Sequence, residues 1–285
     1  MHSTSAHLTT VGGVRIAYRD SGSRSGSTRS DRTRSDRTRS DSTRTDETAA
    51  PVLLVHGMGG DGHTWNRFAR ELLAAGRRVI IPDLRGHGRS ARAASYGFDE
   101  FGADLVALCD HLALDRVDLV GHSLGGYAVS CVAQQRPELV GRLVLEECPL
   151  PLRSGDEQLT PIRRLPTPAE LWHATTSLVR HPRALWAFDR SMTASALEQF
   201  HKPHPLWWER LSGITAPTLV LRGGPGGMVD QGRLAMLVAA LPDCTVTDFT
   251  CGHSIHRDRH REFAAAVLPF LGVPFPDVSA RAGRR

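Results

Sequence analysis

A serine between glycines, two glycine-flanked histidines and a few carboxylates near apolar runs are the groups in this chain suited to acyl transfer. Gly121-His122-Ser123-Leu124-Gly125 follows the apolar run Val117–Val120 and leads into a helical pattern. A nucleophile at such a strand-to-helix turn sits in a strained backbone, and its small neighbours let two backbones pass closely. The turn exposes the Ser123 hydroxyl and aims the amide end of the helix at the reacting centre. The G-x-S-x-G spacing alone is weak in a glycine-rich chain; its place between strand and helix makes it specific. The bland alternative is a tight turn with a surface serine.

Two further motifs supply partners. His56-Gly57-Met58-Gly59 follows Val52–Val55, a glycine-rich turn that can free backbone N–H groups, though alone it reads equally as a plain loop. Gly252-His253-Ser254-Ile255-His256 follows the last apolar run and precedes the last helical pattern. His253, next to the strand end, is the expected base. His256, already entering arginine-rich sequence, is expected at the surface or against a lid. Cys251 is a competing nucleophile by type. However, the five cysteines (Cys109, Cys131, Cys148, Cys244, Cys251) are odd in number, widely spaced and without a C-x-x-C pair. They read as packing residues of a reducing compartment.

The elements that must position these groups alternate. Residues 11–19 suggest an opening hairpin around Gly12-Gly13. Short runs at Val52–Val55, Val79–Ile81, Val117–Val120, Leu143–Leu145, Thr218–Leu221 and Thr245–Phe249 read as buried strands. Helical patterns at Phe101–Leu112, Leu124–Gln135 and Glu262–Leu271 lie between or after them. Strands buried on both faces and alternating with helices imply an α/β fold with a mostly parallel, twisted sheet flanked by helices. Its chemistry belongs at the carboxyl ends of the strands.

Two segments break the pattern. Residues 21–50 are near-repeats of Arg, Ser, Asp and Thr without a large apolar side chain, and so read as a disordered loop. Residues 149–213 carry Trp172, Trp186, Trp207 and Trp208 in a stretch too long for a crossover and too apolar for a linker. That stretch reads as a helical cap, and its tryptophans suggest an apolar substrate unless they form the cap's own core. The expected organisation is a core of 1–148 and 214–273, a cap at 149–213 and a flexible tail at 274–285.

Composition narrows the partners. The chain has 285 residues, a net charge of +5 and 23% charged residues. Its basic residues are almost all arginine, scattered among 30 acids, with no basic stripe to fit a nucleic acid. No apolar run approaches a membrane span and Met1–Leu8 holds no apolar h-region, so a cytoplasmic protein without membrane attachment is expected. His173, His181, His201 and His204 form no metal-ligand spacing, and no metal or cofactor is expected. Oligomeric state is not encoded in any of these features.

Together the motifs resemble the α/β-hydrolase superfamily, in the serine hydrolase branch with a helical cap between the sixth and seventh strands. The resemblance rests on Leu53-Leu54-Val55-His56-Gly57, Asp83-Leu84-Arg85-Gly86-His87-Gly88-Arg89-Ser90, Gly121–Gly126 and Gly252-His253, and covers about residues 11–20 and 51–272. It implies Ser123 as nucleophile, His253 as base and the amides of Met58 and Leu124 as oxyanion hole. The Asp83–Ser90 stretch would be a structural bend. One position departs from the family: where many members carry an aspartate after the seventh strand, this chain has Gly226. The resemblance then points to the end of the sixth strand, with Glu147 as the first choice of acid. Asp230, which also suits a helix N-cap, is the alternative, and Glu146 or no carboxylate completes the set. The implied function is cleavage of an ester or related acyl bond in a small-molecule substrate. C–C hydrolysis, thioester hydrolysis and cofactor-free perhydrolysis use the same parts, and a non-catalytic ligand-binding role stays open at this point.

Overall fold

The computed structural model describes residues 4–22, 49–156, 188–200 and 202–275. Most of the expected disordered loop, the middle of the expected cap with Trp172 and Trp186, His173, His181 and His201, and most of the tail lie outside these residues.

The strands are β1 (Ser5–Val11), β2 (Val14–Asp20), β3 (Val52–Val55), β4 (Val79–Pro82), β5 (Val117–His122), β6 (Val140–Glu146), β7 (Thr218–Arg222) and β8 (Cys244–Asp248). They form one sheet in the order β1-β2-β4-β3-β5-β6-β7-β8. The opening hairpin is antiparallel and pairs antiparallel with β4; every later pairing is parallel. The helices are α1 (Asn66–Ala74), α2 (Phe98–His111), α3 (Leu124–Gln135), α4 (Ser191–Phe200), α5 (Pro205–Glu209), α6 (Gln231–Ala240), α7 (Ile255–Asp258) and α8 (His260–Phe270).

Apolar side chains at successive strand positions divide between the two faces. Leu53, Val55, Leu119, Leu143, Leu145 and Val220 join Phe101, Leu105, Tyr127, Val132, Leu234 and Leu237 from α2, α3 and α6. Val52, Leu54, Val120, Val144, Leu219 and Leu221 join Phe68, Leu72, Phe263 and Val267 from α1 and α8. Both layers are buried, which is why the central strands read as continuous apolar runs.

Two expectations shift at their edges. Helix α2 starts at Phe98 rather than Phe101, because the Glu100 carboxylate turns back to accept the Gly97 N–H at 2.5 Å and caps the first turn. Strand β6 begins at Val140, ahead of the apolar core of its run. The bend at Asp83–Ser90 is structural as expected. Asp83 accepts N–H bonds from Gly62 and Arg89, the Ser90 hydroxyl donates to the Asp83 carbonyl, and Arg85 grips Asp104 with two bonds of 2.7 and 2.8 Å.

Candidate active site

Strand β5 and helix α3 meet at Ser123, whose φ of 52° and ψ of −122° put it in a region that non-glycine residues rarely enter. The turn is pinned on both sides. The Ser123 N–H donates to the Glu146 carbonyl at 2.8 Å, and the Tyr127 N–H donates to the Ser123 carbonyl at 3.1 Å. A side chain at Gly125 would drive into the backbone of Val55 and His56, so α3 packs this close to β3 only with glycine there. Leu124 is the first residue of α3, where the geometry gives an N–H no acceptor within the helix.

The loop after β3 is held by two neutral imidazoles. Leu84 N–H donates to His56 Nε2 at 3.0 Å, leaving Nδ1–H to donate to the Gly57 carbonyl at 2.8 Å. Gly59 N–H donates to His87 Nε2 at 3.0 Å, while His87 Nδ1–H donates to the Arg85 carbonyl at 2.9 Å. Burial pushes His87 down to about 3, so it remains an acceptor at neutral pH. Met58 lies between the two pinned glycines, and its neighbour Gly57 packs against His122 and the Ser123 Cβ.

The histidine loop reaches the elbow through His122. Its Nε2–H donates to the His253 carbonyl at 2.7 Å, and the two rings stand 4.8 Å apart. Burial keeps His122 neutral by pushing it down to about 3. On its other side His253 presents Nδ1 to Glu147 Oε2 at 3.4 Å. The carboxylate is also held by two amides: Gly223 N–H donates to Oε1 and Met228 N–H to Oε2, each at 2.5 Å. Glu147 is fully buried and, with φ at 47°, bends away from the strand line as Ser123 does.

The loop after β7 thus offers amides where an aspartate was absent from the sequence. A side chain at Gly227 would occupy the space of the Glu147 carboxylate. Asp230 is the N-cap of α6, its Oδ1 accepting the Arg233 N–H at 2.9 Å, and the acid against His253 is Glu147.

Other expectations divide. Burial pushes the Cys251 thiol up to about 11, which removes the thiolate needed for attack. His256 corrects the expectation of a surface residue: it is 3% exposed and bonded to Glu146, because α7 folds its arginine-rich sequence back over Trp65. Trp207 belongs to the core, stacked on Tyr127 with Nε1–H donating to Ser130 Oγ at 2.9 Å, so it does not signal an apolar substrate. His204 lies between Tyr127 and Asp99. The roles of His122 and His87, and of the Gly223 and Met228 amides, had no local signal in the sequence beyond adjacency to a motif.

The sequence profile of the α/β-hydrolase fold family matches residues 50–212. A 2-hydroxy-6-oxononadienedioate/2-hydroxy-6-oxononatrienedioate hydrolase of Paraburkholderia phymatum is 30% identical over 255 residues, covering 78% of this chain and 86% of the relative. The lipase LipV of Mycobacterium tuberculosis is 29% identical, covering 78% and 94%. Among solved structures, a thermophilic esterase from Thermogutta terrifontis superposes with a TM-score of 0.63 at 21% identity, covering 94% of this chain and 98% of that one, a likeness of fold. Among the described residues no helix is long and apolar enough to cross a membrane.

Proposed function

This chain belongs to the α/β-hydrolase family, and from that premise we propose that it is a serine hydrolase cleaving an ester or related acyl bond of a small molecule. The observation that carries the reading is the strained Ser123 elbow, tied by His122 to a loop whose His253 faces the buried carboxylate of Glu147.

In this mechanism Glu147 receives His253 Nδ1–H and fixes the tautomer, leaving Nε2 to take the Ser123 proton. The Ser123 oxygen attacks the substrate carbonyl. The amides of Met58 and Leu124 stabilise the resulting oxyanion, where loss of one donor typically costs on the order of 10²–10³ in rate. His253 then protonates the leaving group, and water activated by the same imidazole releases the acid from Ser123. Asp230 has no part in this scheme beyond capping α6. We assign the described residues of the segment joining β6 to β7, with α4 and α5, to the cap, and the remaining strands and helices to the core.

A second reading has a specific motive: several relatives are named as hydrolases of oxononadienedioates, whose reaction would use the same serine and histidine. One experiment separates the readings. A fluorophosphonate probe should label wild type at Ser123 and leave Ser123→Ala untouched, and p-nitrophenyl esters of varied chain length should be turned over faster than a 2-hydroxy-6-oxo-dienoate. Absence of labelling would reject the serine mechanism, and the reverse substrate order would favour C–C cleavage.

A further inference from the structure

The mechanism leaves a second acid–histidine pair unused. Glu146 ends β6 beside Glu147, and His256 lies one turn beyond His253. Glu146 Oε1 accepts the His256 N–H at 2.8 Å, and Oε2 stands 2.8 Å from His256 Nδ1. Neither side chain is more than 2% exposed. The Trp65 ring stacks on the imidazole at 4.1 Å, and the His122 ring meets it at 5.0 Å. Among the described residues His256 Nε2 has no hydrogen-bond partner.

Burying a carboxyl and an imidazole is costly, and well-packed apolar side chains often do as well or better for stability alone. What this pair adds is connection. The loop carrying His253 is held at its carbonyl by His122 and at its next turn by Glu146. The same Glu146 accepts the Ser123 N–H on its backbone carbonyl. Nucleophile, base and acid are therefore all referred to one residue at the end of β6.

Resting on the serine hydrolase reading, we propose that Glu146 and His256 are positioning residues for that reaction, a buried clamp that shares one proton and sets both the place and the electrostatic surroundings of His253.

The proton follows from the donors. Glu147 receives two amides and stands against an imidazole, whereas Glu146 receives one amide and faces a second imidazole with which it shares a proton. Burial pushes Glu146 up to about 7 and pushes His256 well below its ordinary range. Below that point the proton sits on Glu146 and is donated to a neutral His256 Nδ1. The groups facing the pair are His122 from the elbow, Glu147 beside it, Cys251 and His253 on the same loop, and Arg257, Asp258 and His260 from α7 and α8. When Glu146 ionises, a negative charge appears behind His253.

The test is the rate of fluorophosphonate labelling of Ser123 from about pH 5 to about pH 9, alongside thermal melting. Glu146→Gln mimics the protonated carboxyl, so it should label within about threefold of wild type but lack the ionisation near pH 7 in its profile. Glu146→Leu should label about 100-fold slower. His256→Phe keeps the stack on Trp65 and loses the ring bond, and should label about tenfold slower, which decides the matter if Glu146→Leu does not fold. A His256→Phe protein labelling as fast as wild type, or a Glu146→Gln profile identical to wild type, would overturn the clamp. Failure of wild type itself to label would instead overturn the functional reading on which it rests.

Discussion

Glu147 and His253 meet at the rim of the sheet with 3.4 Å between them, and the imidazole is partly exposed. Glu146 and His256 meet one residue back along the same strand at 2.8 Å, sealed under Trp65. The two pairs share their chemistry and differ in surroundings. Consecutive residues at a strand end face opposite sides, and the positive φ of Glu147 turns it further toward the β7 loop. The outer pair has a carboxylate that accepts two amides and an imidazole that is partly open to solvent. The inner pair has fewer donors, no solvent and no route for a substrate. Donor count and access, rather than residue type, separate the two pairs.

The comparison breaks most sharply at Glu147. Glu147→Gln should lower kcat by about 10²–10⁴ with KM little changed, since the third group fixes the tautomer and stabilises the imidazolium. A variant retaining more than about a tenth of wild-type kcat would show that the outer pair is not the working one.

The inner pair should show in stability as well. A carboxyl raised from 4.5 to about 7 binds its proton more tightly in the folded state. Its stabilisation is thus fully present below the ordinary carboxyl range and lost as pH rises through about 7. Glu146→Gln cannot ionise, so its Tm relative to wild type should rise by a few degrees between about pH 5 and about pH 8. A constant difference across that range would mean that Glu146 is not the buried proton carrier. His122 and His87 act in the opposite sense: their depressed values mean that stability is lost as pH falls below the ordinary histidine range.

The smallest effect belongs to the carboxylate outside both pairs. Asp230→Asn keeps a good N-cap for α6, so kcat should stay within about twofold and stability within about 0.5 kcal/mol of wild type. A loss of kcat comparable to that of Glu147→Gln would transfer the acid's role to Asp230.

Much of this was legible beforehand. The strand-and-helix alternation, the bend at Asp83–Ser90 and the helix from Leu124 to Gln135 follow from local apolar periods and glycine placement, which act over a few residues. That a carboxylate at the end of β6 would face the histidine loop was legible too, because few reasons exist to end a buried strand in two glutamates. The fate of His256 was not, since arginine-rich flanks resemble surface and only the fold-back of α7 onto Trp65 buries it. Trp207 misled for the same reason: its partner Tyr127 sits far away in the chain.

The sequence by itself determined the family, the elbow and the histidine expected to serve it, because each is written in a short motif whose backbone needs only certain residues. The tertiary structure decided which carboxylate faces which histidine. That choice depends on how the ends of β6, β7 and β8 line up and on which loop amides are left to receive charge. Those are contacts between distant segments, and no local pattern records them.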